Sequence, residues 1–202
     1  AAMRQHQDLT MKKEKLIPYK EDVAEGTGWK LLLGDSVERI KEVETGSVAL
    51  TVTSIPFLTL YTYSASERDM GNCTSREQFF AHFEHLIPEW LRVTTPGRIC
   101  AVHVQNITTT KVKHGVIGVY DFRGDVIRSF VKHDWIFHGE VVVDKNPQVA
   151  AIRTRAKGLA FQQKNKDSSW CSPCLGDYIL LFRAPGENLI PVKTDATNDD
   201  WI

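Results

Sequence analysis

No apolar run in this 202-residue chain approaches the ~20 residues that a membrane-spanning helix requires. The apolar stretches, such as Trp29–Leu33 and Tyr178–Phe182, have the length of strands. The opening stretch, AAMRQHQDLTMKKEKL, lacks the apolar centre of a secretory signal, which points to a cytoplasmic protein with no membrane partner. Cysteine is scarce: Cys73, Cys100, Cys171 and Cys174 in a chain of this length do not make a disulfide scaffold. Cys171 and Cys174 form a lone CxxC pair. A structural zinc needs four ligands at sensible spacing, and neither the other cysteines nor the seven scattered histidines supply a second pair, so no metal is expected. His82 and His85 lack an HExxH pattern and are read as packing or surface residues. Net charge is also absent, with 25 basic against 25 acidic side chains. That excludes a purely electrostatic nucleic-acid binder but leaves room for an enzyme with one local basic surface. There is no internal repeat, no P-loop and no nucleophile elbow.

What is present alternates between strands and helices. Residues 1–27 read as an N-terminal extension ending in a turn at Gly26-Thr27-Gly28, and residues 28–202 as one domain. Trp29–Gly34 is a buried-strand candidate, followed by a short helix capped by Ser36 with Val37, Ile40 and Val43 at helical spacing. Ser47–Thr53 is β-branched and strand-like, and it stops at Ser54-Ile55-Pro56-Phe57. Leu58–Thr74 is polar and aperiodic, the length of a functional loop. Ser75 and Gln78 form a capping-box pair for an amphipathic helix running through Phe79, Phe83, Ile87 and Trp90 to Leu91. Arg98–Val104, Trp135–Val143 and Tyr178–Phe182 read as strands and Phe122–Lys132 as a helix. Such alternation predicts an α/β fold, a mostly parallel Rossmann-like sheet with helices on both faces. In such sheets the chemistry sits beyond the carboxyl ends of the strands. Asp35 and Ser54–Phe57 are expected side by side at that edge. His103 lies near the same edge and is read first as a satisfied core histidine, second as a lining residue.

From Lys145 to Lys166 the bases Lys145, Arg153, Arg155, Lys157, Lys164 and Lys166 occur without a single acid. This stretch, about 145–176, is the candidate phosphate-contacting surface.

Taken in order, Gly34-Asp35, the strand Val48–Thr53 with Ser54-Ile55-Pro56-Phe57, the stretch Asp144-Lys145-Asn146-Pro147 with Arg153 and Arg155 beyond, and Asp177–Arg183 resemble the permuted (β-class) DNA amino-methyltransferases. The form Thr-Ser-Ile-Pro-Phe, with Leu-Tyr-Thr-Tyr-Ser and Arg-Asp-Met-Gly-Asn-Cys after it, is most similar to a phage and prophage branch. The resemblance spans about residues 28–190. It implies a methyltransferase that uses S-adenosylmethionine, acts on double-stranded DNA in a bacterial or phage-infected cell, and flips its target base. Ser54, Ile55, Pro56 and Phe57 would hold the base, Asp35 the cofactor, and Lys145, Arg153, Arg155 and Lys157 the phosphates. The chemistry suits these residue types. An exocyclic amine is a weak nucleophile, and acceptors that grip its protons favour the tetrahedral nitrogen of the transition state. The Ser54 hydroxyl and Ile55 carbonyl are such acceptors, and Phe57 offers a stacking face worth about 1–3 kcal/mol.

Two features depart from the family pattern. Ile55 stands where most members have a first proline. The cofactor-binding Phe-x-Gly-x-Gly loop is also absent, for the only glycines after residue 160 are Gly176 and Gly186. The expectation is therefore a partial catalytic domain whose cofactor site is completed by a C-terminal segment or a second chain. Adenine N6 is the favoured target over cytosine N4, although Ser54 pulls toward cytosine. A non-catalytic DNA-binding remnant and an RNA or protein amino-methyltransferase are the rivals.

Overall fold

The computed structural model describes residues 20–58, 60–146, 148–149, 174, 176–195 and 197. Its first element is a hairpin: β1 (Asp22–Gly26) pairs antiparallel with β2 (Trp29–Leu33) across the two-residue loop Thr27-Gly28. Gly28, at φ +80°, takes the left-handed conformation that such a tight loop demands. The expected boundary after residue 27 thus falls inside this hairpin. β2 is not the buried strand that its apolar sequence predicts, for Leu31 is 62% exposed and, among the described residues, its only strand partner is β1. Asp35, rather than Ser36, caps the following helix α1 (Ser36–Arg39), its Oδ1 accepting from the Val37 backbone N–H at 3.0 Å.

β3 (Val48–Ser54) leads through the loop to two helices, α2 (Arg76–Phe83) and α3 (Leu86–Val93), where one was expected. The reason is Pro88. Its ring would collide with the carbonyl of Glu84 in a continuous helix, and it has no N–H to donate there. The Ser75 cap holds as predicted, accepting from the Gln78 N–H at 3.1 Å, while Gln78 Oε1 reaches back to the Thr74 N–H at 2.8 Å. Next come β4 (Thr94–Gln105), a small hairpin of β5 (Ile107–Thr109) and β6 (Gly118–Tyr120) enclosing α4 (Lys111–His114), and α5 (Phe122–Lys132). β7 (Ile136–Val143) and β8 (Asp177–Arg183) complete the described elements.

The main sheet has the order β3-β4-β8-β7. β3 and β4 are parallel neighbours, but β8 is antiparallel to both β4 and β7. The expectation of a mostly parallel sheet is corrected accordingly. The helical connections β3 to β4 and β4 to β7 do give three strands of one direction. β8 arrives by a long connection without a described crossover helix and inserts against the grain between β4 and β7.

The register sorts the side chains into two faces. Cys100, Val102 and Val104 of β4 and Leu180 and Phe182 of β8 point one way, all fully buried. Against them pack Phe79 and Phe83 of α2, Ile87 and Trp90 of α3, and Val126 and Phe130 of α5. Phe130 stacks on Phe182 with ring centres 3.9 Å apart. The other face shows Leu50 and Val52, 58% and 75% exposed, with Val141 and Val143 also exposed across the sheet. Helices were expected on both faces; among the described residues the helices that build the core all lie on one.

Candidate functional site

The site grows from the carboxyl end of β3. Because β3 and β4 run parallel with Ser54 opposite His103, the two side chains emerge on the same face at the same level. Ser54 Oγ lies 3.0 Å from His103 Nδ1. His103 Nε2 is 3.1 Å from Oδ2 of Asp177, the first residue of β8, and Lys145 Nζ is 2.5 Å from Oδ1 of the same carboxylate. This last contact is an ion pair without hydrogen-bond alignment. Lys145 Nζ also reaches Gln105 Oε1 at 3.5 Å. Asp177 is buried at the sheet edge, whereas Ser54 is open to solvent and the His103 side chain is about a third exposed.

Ile55 turns its side chain into the core and is only 4% exposed, which anchors the tetrapeptide from below. Phe57 is half-buried. Its ring meets His103 edge-on at 5.5 Å and Phe122, at the start of α5, at 6.4 Å. Leu58 follows at φ +51°, a conformation that costs a branched side chain and that recurs where a chain is held for function. The turn Ser54–Phe57 is therefore pinned on both sides, by a buried residue within it and by a strained one after it.

The loop beyond is organised by Asp69. Its carboxylate accepts from the backbone N–H groups of Tyr63 at 3.0 Å, Ser64 at 2.7 Å and Gly71 at 2.8 Å. Asn72 adds a clamp, donating to the Ser64 and Ser66 carbonyls. Arg68 of this loop pairs with Asp35 Oδ2 at 3.1 Å.

Asp35 thus caps α1 with one oxygen and binds Arg68 with the other, and its strand belongs to the β1–β2 hairpin rather than to the main sheet. The structure joins Asp35 to the loop that follows Phe57, in place of a shared sheet edge with Ser54. Lys145, expected among the phosphate contacts, is drawn into the site by Asp177. Arg153, Arg155 and Lys157 lie outside the described residues, as does Cys171. Cys174 Sγ accepts a hydrogen bond from Thr108 Oγ1 at 3.3 Å, and burial pushes its thiol up. Among the described residues no group of three His, Cys, Asp or Glu side chains is arranged to hold a metal.

Sequence reasoning ranked His103 as a core residue and did not single out Asp177 at all. Neither has a local signal. His103 is 49 residues from Ser54, and only the pairing of β8 with β4, Asp177 opposite Gln105, brings the carboxylate to the ring.

No family model matches the chain, and no curated protein matches it. Solved structures do. One is a protein of Thermus thermophilus assigned as a DNA modification methylase, in complex with S-adenosyl-L-methionine; it aligns with a TM-score of 0.57 at 20% identity, over 80% of this chain and 55% of that one. Another is the cytosine-N4-specific PvuII DNA methyltransferase, with a TM-score of 0.53 at 14% identity, over 75% of this chain and 48% of that one. The chain spans about half the length of these structures. At such identities the likeness is one of fold, and the chain shares the α/β architecture of these methylases.

Proposed function

We propose that this chain is the target-base portion of a DNA amino-methyltransferase. The observation behind the reading is the pinned turn Ser54-Ile55-Pro56-Phe57 at the carboxyl end of β3, a polar acceptor and an aromatic ring side by side in a methylase-like fold. Ser54 Oγ would accept a proton of the exocyclic amine, the Ile55 carbonyl would take the other, and Phe57 would stack on the flipped base. Arg153, Arg155 and Lys157 would contact phosphates. Adenine N6 is the first reading, since a purine gives Phe57 the larger stacking area. Cytosine N4 is the second, favoured by Ser54 in the first motif position and by the fold shared with a cytosine-N4 enzyme.

The cofactor of this reading is S-adenosylmethionine, which supplies an electrophilic methyl group when bound. The described residues fit it only in part. Asp35 would accept the adenine amine with the carboxylate that also caps α1 and pairs with Arg68. No glycine loop stands ready for the methionine portion among the described residues, for Gly186 packs against Pro96. In this reading a further segment or a second chain would complete that side. The chain alone is accordingly expected to bind S-adenosylmethionine weakly or not at all, and calorimetric titration giving micromolar affinity would refute this division of labour. The activity is tested by incubating the complete protein with labelled S-adenosylmethionine and duplex DNA or RNA, then identifying the modified nucleoside by mass. N6-methyladenine in DNA is expected. N4-methylcytosine would favour the second reading, and unmodified DNA the non-catalytic remnant.

A further inference from the structure

Lys145, Asp177, His103 and Ser54 form an unbroken chain, two charge contacts and one hydrogen bond, and for a neutral imidazole its charged end favours one direction for that hydrogen bond. An ammonium can only donate and a carboxylate can only accept. Asp177 faces Lys145 with Oδ1 and His103 with Oδ2, and a carboxylate 3.1 Å from Nε2 favours the tautomer that carries the ring proton there. A neutral imidazole that donates from one nitrogen accepts at the other. Nδ1 is then an acceptor 3.0 Å from Ser54 Oγ, and the serine hydroxyl has a single proton to give it. What Ser54 turns toward solvent is lone pairs only.

We propose that His103, oriented by Asp177 and Lys145, is a positioning residue that makes Ser54 an obligate acceptor, so that the site admits a base edge bearing an amine and rejects one bearing a carbonyl. This rests on the reading of Ser54–Phe57 as a base-binding turn and adds the groups that enforce its choice. A serine hydroxyl free to rotate would serve either partner, donating to the O6 of guanine or O4 of thymine as readily as it accepts from adenine or cytosine. Locked onto Nδ1, it presents electron density to those carbonyl oxygens and repels them. The edge-on ring of Phe57 against His103 limits rotation of the imidazole that would undo the lock.

The tautomer is read directly by nitrogen-15 NMR of the labelled chain in slightly alkaline buffer, and selectivity by titrating it with adenine against hypoxanthine and cytosine against uracil. The expected result is a His103 protonated at Nε2 and a preference of about tenfold for the amine member of each pair. Asp177→Asn should reverse the polarity. Its carbonyl would stay on Lys145 while its amide donates to Nε2, which moves the ring proton to Nδ1 and levels or inverts the preference. Ser54→Ala serves if that variant misfolds: the preference should vanish while the His103 tautomer stays as it was. A ring protonated at Nδ1 in the unmodified chain, or equal binding of amine and keto bases, would overturn the inference. Binding of neither kind of base, with the Nε2 tautomer in place, would overturn the base-site reading itself and the inference with it.

Discussion

Burial in the core pushes the Cys100 thiol from an ordinary 9.0 up to about 12, because the thiolate has no solvent in the centre of β4. The sign of the consequence follows from proton counting. Between those two values the folded chain keeps a proton that the unfolded chain has lost, so stability falls as pH rises, by at most about 1.4 kcal/mol per pH unit. Below that window both states are protonated and the effect vanishes. Urea midpoints should therefore drop between about pH 9 and about pH 11, and the drop should be shallower in Cys100→Ala; an unchanged slope would remove the thiol from the account. Legibility at this scale divides by distance along the chain. Ser54, Ile55, Pro56 and Phe57 were readable as a contiguous turn after a β-branched strand. Asp35 was readable as a residue after a strand, and what it does in the fold, capping α1 and binding Arg68, is the plainer of the two uses such a position allows. His103 and Asp177 were not readable as partners, because strand register and not sequence spacing brings them together.

The loop between β3 and α2 owes its shape to one carboxylate. Asp69 accepts three backbone N–H groups and the Ser64 hydroxyl, and hydrogen bonds to a charged acceptor are each worth about 1.5–3 kcal/mol. Asp69→Ala is expected to lower stability by roughly 2–3 kcal/mol, the lower end of a sum over shared bonds. It should also open the loop to proteolysis between residues 60 and 74 while the sheet stays protected. Cleavage no faster than in the unmodified chain would show that the Arg68–Asp35 pair and the Asn72 clamp suffice. Elements with a local code were legible: the Ser75 cap, the strand before Ser54, the helix Phe122–Lys132. Those set by tertiary partners were not. The break between α2 and α3 was announced by Pro88, yet the run of Phe79, Phe83, Ile87 and Trp90 bridges it with one helical period. The antiparallel course of β8 has no signature, since YILLF reads alike in either direction.

At the scale of the molecule, the two margins of the sheet are alike in one respect: among the described residues neither has a further strand. β7, at one margin, carries a register shift at Phe137/Gly139, the kind of irregularity that discourages further pairing. β3, at the opposite margin, has its irregularity only at Val48/Leu50 and runs regularly from there to Ser54. Its sequence, VALTVTS, has no charge and no proline. Uncharged β-branched segments of this length with an open edge pair readily with copies of themselves. The consequence is colloidal. Kept by itself in solution, the chain should scatter light increasingly with time and concentration, and a lysine at the 75%-exposed Val52 should suppress this without changing the far-ultraviolet spectrum of the fold. Clear solutions of the unmodified chain at high concentration would show the strand to be shielded. Among the described residues, then, the strand that carries Ser54 also has an unpaired edge, regular from Leu50 to Ser54, and a partner that covered it would act as a chaperone before it acted as anything else.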